Sequence, residues 1–120
     1  MRTTEKSFRV VKKRYEEENI VYLIGDLDLA AASDLEAELE PLINQGDRTL
    51  TLNLGELKYI DSTGIGLIVS ILKRRAAMKA EFEVQDIPYS VQRLFDLTGI
   101  SGYLRKKPAQ AGAERKEQWT

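Results

Sequence analysis

The chain contains no cysteine and no histidine among its 120 residues. Without cysteine there is no disulfide framework, no thiolate metal site and no cysteine nucleophile. Without histidine there is no Ser-His-Asp triad, no imidazole base and no imidazole ligand for zinc. No apolar run approaches the roughly 20 residues that cross a bilayer, and residues 1–8 lack the apolar core of a secretory signal. A cytoplasmic protein with no membrane contact is therefore expected. A basic excess is missing too: 18 Lys and Arg stand against 19 Asp and Glu, a net charge of -1, so the global footprint of a nucleic-acid binder is absent. What remains is a chain that is 42% apolar and 31% charged, the composition of one globular domain.

The charges are unevenly spread. Residues 16–61 hold twelve acids and only two bases, Arg48 and Lys58, while both ends are basic. Such asymmetry steers a partner of opposite charge, or simply marks solvated faces.

Periodicity gives an order of β-β-α-β-α-β-α. Residues 8–14 alternate as a first strand, and IVYLI at 20–24 is a continuous apolar run ended by Gly25. Residues 30–44 carry a helical stripe of Ala32, Leu35, Leu39, Leu42 and Ile43. Pro41 should kink or shorten that helix, and Gly46 should stop it. TLTLNL at 49–54 reads as a strand with a loop at Gly55, and a helix over 62–79 follows with a stripe of Ile65, Ile68, Val69, Leu72 and Ala76. A strand at 82–85, a helix at 88–97 stopped by Gly99, and a short strand at 101–104 complete the pattern. This predicts an α/β fold: a small mixed β-sheet whose first two strands are antiparallel and whose later β-α-β units are parallel. Residues 1–105 form the single domain, and 106–120, rich in Ala, Gln, Gly, Glu and Lys, read as a disordered tail.

Asp61-Ser62-Thr63-Gly64-Ile65-Gly66 is the most informative segment. Asp, Ser and Thr cap helices, and the uncapped N–H groups and positive dipole end gather there. A phosphate on Ser62 or Thr63 would suit the fold while adding roughly 1.5 to 2 negative charges to the surface. A partner seated over the bare serine would then meet a costly buried charge. Gly64 and Gly66 leave backbone open to a close approach, and Leu67 and Ile71 offer a second apolar stripe, either an interface or wide burial. The segment lacks the lysine of a P-loop, and an aspartic-protease reading needs two such copies where the chain has one. No catalytic residue, metal site or cofactor is expected.

Four blocks, in order, resemble the STAS domain family and, within it, the bacterial anti-sigma factor antagonists: residues 21–29 (VYLIGDLDL), 51–57 (TLNLGEL), 59–66 (YIDSTGIG) and 91–99 (VQRLFDLTG). The resemblance implies a STAS-like small mixed sheet with helices packed mainly on one face. It implies that Ser62, directly after the motif aspartate, is the phosphoacceptor, with Thr63 at the second hydroxyl position. An anti-sigma factor that is also a serine kinase would bind the unphosphorylated chain and phosphorylate it, and a serine phosphatase would reverse this. Partner-binding positions carried over are Asp26, Asp28, Asp61, Thr63, Gly64, Ile65 and Gly66, on a chain monomeric when free. Two other roles fit the same resemblance: a scaffold of a stress-sensing complex, or a cytoplasmic subunit of a lipid transporter.

Overall fold

The computed structural model describes residues 7–99. Strand β1 (Phe8–Arg14) and strand β2 (Glu18–Leu27) form an antiparallel hairpin, in the register Val10 to Leu23 and Lys12 to Val21. Helix α1 (Leu29–Ile43) leads to β3 (Thr49–Ile60), α2 (Ser62–Ala77) leads to β4 (Phe82–Gln85), and α3 (Tyr89–Thr98) follows. The sheet order is β1-β2-β3-β4, with β2, β3 and β4 parallel. The mixed sheet and the strand directions are as the pattern predicts. The expected strand at 101–104 and the tail at 106–120 lie outside the described residues.

Successive right-handed crossovers moving one way along a sheet put their helices on the same face. The buried side chains agree. Val21 and Leu23 of β2, Leu50, Leu52 and Leu54 of β3, and Phe82 and Val84 of β4 all join one apolar cluster. Leu35 and Leu39 of α1, Ile68 and Ile71 of α2, and Val91 and Phe95 of α3 close it from above. Fully burying each such side chain contributes about 1.5–3 kcal/mol. The second stripe of α2 is thus mostly core: Ile71 is fully buried and Leu67 nearly so, with only its edge lining the space between α1 and α2, whereas Ala76 is exposed.

Other departures have local causes. β2 does not stop at Gly25 but runs on to Leu27, because Gly25 adopts φ +102° and lets Ser7 O approach to where a Cβ would stand. β3 likewise continues through Gly55. The register steps from Tyr22 opposite Asn53 to Ile24 opposite Glu56, so β3 carries an extra residue there. Asn53 holds the bulge, its Oδ1 accepting from the Gly55 amide at 2.9 Å and its Nδ2 donating to Gln85 and Asp86. Pro41 lies inside α1, which still reaches Ile43. The cap there is Asn44 in a right-handed conformation, so Gly46 is not the stop. Gly99 is, for α3, with φ +81°.

Arg75 was invisible to the apolar pattern. It is fully buried on α2, where Nη1 donates to the carbonyls of Ile43 (2.8 Å) and Gln45 (3.0 Å), and Nη2 to those of Arg48 and Glu81 (2.7 Å). One guanidinium therefore ties the α1–β3 connection to the start of β4. Burial lowers its pKa, against the opposing pull of Glu81.

Candidate functional site at the two helix N-termini

The carboxyl ends of β2 and β3 lie side by side, with Leu27 opposite Ile60. Each is followed by one aspartate and then a helix. Asp28 caps α1, its Oδ1 accepting from the Ala31 amide at 3.0 Å. Asp61 caps α2 in the same way, accepting from the Gly64 amide at 3.1 Å. Both aspartates have extended backbone and return their carbonyl to the first helical turn, Asp28 O accepting from Ala32 at 2.8 Å and Asp61 O from Ile65 at 3.0 Å. The Asp61 amide in turn donates to Leu27 O at 3.4 Å, joining the two caps. The motif DLDL and the motif YIDS are thus one construction made twice.

This geometry sorts the expected site residues. Ser62 is the first residue of α2 and is exposed, as is Thr63 beside it. Gly66, one turn on, is exposed with open space where a Cβ would stand. Gly64 and Ile65 are not at the surface. A Cβ on Gly64 would sit 2.7 Å from Leu27 O and 2.8 Å from Ile60 Cγ1, so this glycine admits the strand ends of the same chain rather than a partner. Ile65 is 8% exposed and belongs to the core. Asp28 and Asp61 spend one carboxylate oxygen on a cap, and each stays half-exposed. Asp26 is half-buried in β2, its amide bonded to Ser7 O at 2.9 Å, and shares a surface recess with Arg9 and Lys58.

Between the two capped helices runs a groove lined by Leu29, Ala32 and Ser33 of α1 and by Thr63, Gly66 and Ser70 of α2. Leu29 is 69% exposed at its end, and Tyr59 is 51% exposed on the last turn of β3 at the same edge of the sheet. Periodicity passed over both. Leu29 precedes the first core position of α1, and Tyr59 points away from its buried neighbour Ile60. The groove walls are fastened at the far end by a forked contact, Arg74 to Glu40 at 2.8 and 3.1 Å, which holds the Glu40 carboxyl below its ordinary pKa. Among the described residues no group of Asp and Glu has the geometry of a metal site, and no helix is long and apolar enough to cross a membrane.

The site is therefore an exposed serine hydroxyl at the positive end of a helix, beside a shallow groove with a glycine at its wall and two apolar side chains near its rim. It offers a place to add a phosphate and a surface on which the addition would be felt. It offers no nucleophile–base pair and no convergent carboxylates.

Known proteins resemble this chain in sequence or in fold. The anti-sigma-B factor antagonist of Staphylococcus aureus (strain NCTC 8325) is 36% identical over 76 residues, 63% of this chain and 70% of that protein. An anti-sigma factor antagonist from Mycobacterium paratuberculosis has the same fold, with a TM-score of 0.78 and 17% identity over 92% of this chain and 93% of that one. So does the Bacillus cell fate determinant SpoIIAA in its phosphorylated form, with a TM-score of 0.67 and 21% identity over 90% and 97% of the two chains. A family model described as Mlab, STAS domain matches residues 11–106, and the chain belongs to the STAS domain family.

Proposed function

We propose that this protein is an anti-sigma factor antagonist that works by partner switching, with Ser62 as its phosphoacceptor. The observation that carries the reading is the exposed Ser62 hydroxyl at the first position of α2, behind an aspartate cap and beside the α1–α2 groove. The curated relative at 36% identity bears that role in its name, and a protein of this fold exists in a phosphorylated form.

Unphosphorylated, the groove and the exposed Leu29, Tyr59, Thr63 and Gly66 receive the anti-sigma factor, releasing the sigma factor it held. Asp26 and Asp28 flank that contact with negative charge. The anti-sigma factor is also the serine kinase: it transfers the γ-phosphoryl of ATP to the Ser62 oxygen. The site's own contribution is passive. The helix N-terminus accommodates the dianion, so the fold survives. The partner does not accommodate it, because closing a surface over a charge of roughly -1.5 to -2 strips its water without supplying cations. Asp61, next door, adds to the repulsion of any acidic partner surface. A serine phosphatase restores the hydroxyl. The protein is a cytoplasmic monomer when free and needs no cofactor.

One variant tests this. Ser62→Ala should fold, bind the anti-sigma factor kinase and take up no phosphate from it. Stoichiometric phosphorylation of Ser62→Ala would move the site elsewhere. If Ser62→Ala instead retains transporter subunits or a large sensor assembly and no serine kinase, the protein is a scaffold or transporter subunit and Ser62 is a helix residue only.

A further inference from the structure

Strand β1 is an edge. It pairs on one side only, with β2, and among the described residues no strand lies along its other side. The bonds to β2 show which backbone groups are left over. The Asp26 amide donates to Ser7 O at 2.9 Å, and the Tyr15 amide to Glu18 O at 2.7 Å. Antiparallel pairs alternate between hydrogen-bonded and non-bonded, and the register runs unbroken from Phe8 to Arg14. Ser7 and Tyr15 therefore mark the odd-numbered residues as those bonded to β2, and Phe8, Val10 and Lys12 turn their N–H and C=O groups outward. Beside this edge, between β1 and α1, lies a recess of about 430 Å³. It touches Ser7, Phe8, Arg9 and Val10 in succession. Consecutive strand residues point to opposite faces, so the recess follows the edge of the strand. Phe8, Val10, Ala31 and Leu35 supply its apolar surface.

We infer that this edge takes up an extended segment of another protein as an additional strand, and that the segment alternates apolar with acidic residues. A strand added to a sheet edge is held through its backbone and selected through alternate side chains. Those facing α1 meet Phe8, Val10 and Ala31 and are apolar; Asp34 and Glu38 on the helix wall disfavour acids on that side. The others lie on the opposite face, beside Arg9 and Lys13, which are both exposed. Opposite charges on neighbouring strands attract, so acids belong there. Lys12 is engaged otherwise, paired with Glu38 at 3.2 Å. The same cations argue against a second copy as occupant. Two β1 strands side by side would set Arg9, Lys12, Lys13 and Arg14 against one another. Protection of the edge from self-association accounts for the charges and leaves the recess unexplained; an acidic strand accounts for both. The inference does not rest on Ser62, whose groove runs along the other flank of α1.

Hydrogen exchange, read residue by residue by NMR on the full chain, tests this. The probe is a synthetic peptide of alternating valine and glutamate. The control has the same composition, with its valines in one block and its glutamates in another. Without peptide, the amides of Arg9, Val11 and Lys13 should exchange more slowly than those of Phe8, Val10 and Lys12. Excess alternating peptide should slow the second set by about tenfold or more, and the block peptide should leave it unchanged. Arg9→Glu combined with Lys13→Glu, two exposed positions that leave the core intact, should abolish the slowing. Val10→Pro, which deletes an outward N–H that β2 does not use, should do the same. No slowing with the alternating peptide overturns the proposal. So does equal slowing by the block peptide, or slowing that survives the charge reversal. Protection of Phe8, Val10 and Lys12 without peptide also overturns it: the occupant is a second copy if that protection grows with protein concentration, and the chain covers its own edge if it does not.

Discussion

Two glycines in one motif have opposite duties, and single substitutions separate them. Gly64 fits because a Cβ would collide with Leu27 O and Ile60 Cγ1 at 2.7 and 2.8 Å. Gly64→Ala should therefore cost about 1–3 kcal/mol in chemical denaturation, although alanine is the better helix former. Gly66 meets nothing within 4 Å, so Gly66→Ala should gain about 0.5–1 kcal/mol from helix propensity and still weaken docking by narrowing the groove. The sequence reads both glycines as leaving backbone open to a partner; only the geometry divides packing from openness, since both stand in the same helical turn. Arg75 teaches the same lesson. Its four carbonyl partners come from Ile43, Gln45, Arg48 and Glu81, positions scattered along the sequence. Nothing in the local pattern of α2 marks it as core, because a buried arginine is specified by the backbone it meets. Arg75→Met should lose about 3 kcal/mol or more, as the carbonyls are left without their charged donor. Arg75→Lys should recover only part, since an ammonium cannot span the same fork.

The strands and helices were legible wherever one periodicity ruled. β1, β4 and the body of α1 and α2 follow from alternation or from a 3.6-residue stripe, and the antiparallel hairpin from its short turn. The extents of β2 and β3 were not. Gly25 and Gly55 look like ends, yet both lie inside strands, one by a positive φ and one by a bulge pinned through Asn53. Asn53→Ala should loosen that bulge, seen as faster amide exchange at Gly55, with Leu50 unaffected. The far end of the α1–α2 pair is held by Arg74 and Glu40. Their hydrogen bonds lower the Glu40 pKa in the folded state. That contribution is present above the ordinary glutamate range and is lost as pH falls through the lowered value. It is small and sensitive to salt, because both side chains are solvated. A carboxyl titration by NMR should place Glu40 below the ordinary glutamate value, and Arg74→Gln should return it toward that value.

Taken together, the chain places the exposed Ser62 hydroxyl, the proposed phosphoacceptor, on a frame of packed strands and helices. The β2–Asp28–α1 and β3–Asp61–α2 junctions are duplicates, so both helix N-termini open on the same edge, and Ser62 stands there with a groove beside it. A switch built this way alters a surface without altering a fold. Of the acids in residues 16–61, Asp28 and Asp61 stand at that edge, while Glu18 and Asp47 lie at the opposite ends of β2 and β3, so only part of the acidic bias adds to the effect of one more anion. The most direct measurement titrates the anti-sigma factor with this protein before and after phosphorylation of Ser62, recording the backbone NMR spectrum of each sample. The phosphorylated form should bind at least tenfold more weakly, a loss of about 1.4 kcal/mol or more, while amide shifts change only around residues 28–33 and 59–67. Equal affinity of the two forms, or weaker binding accompanied by shifts across the whole sheet, would contradict a switch that works by charge on an unchanged fold.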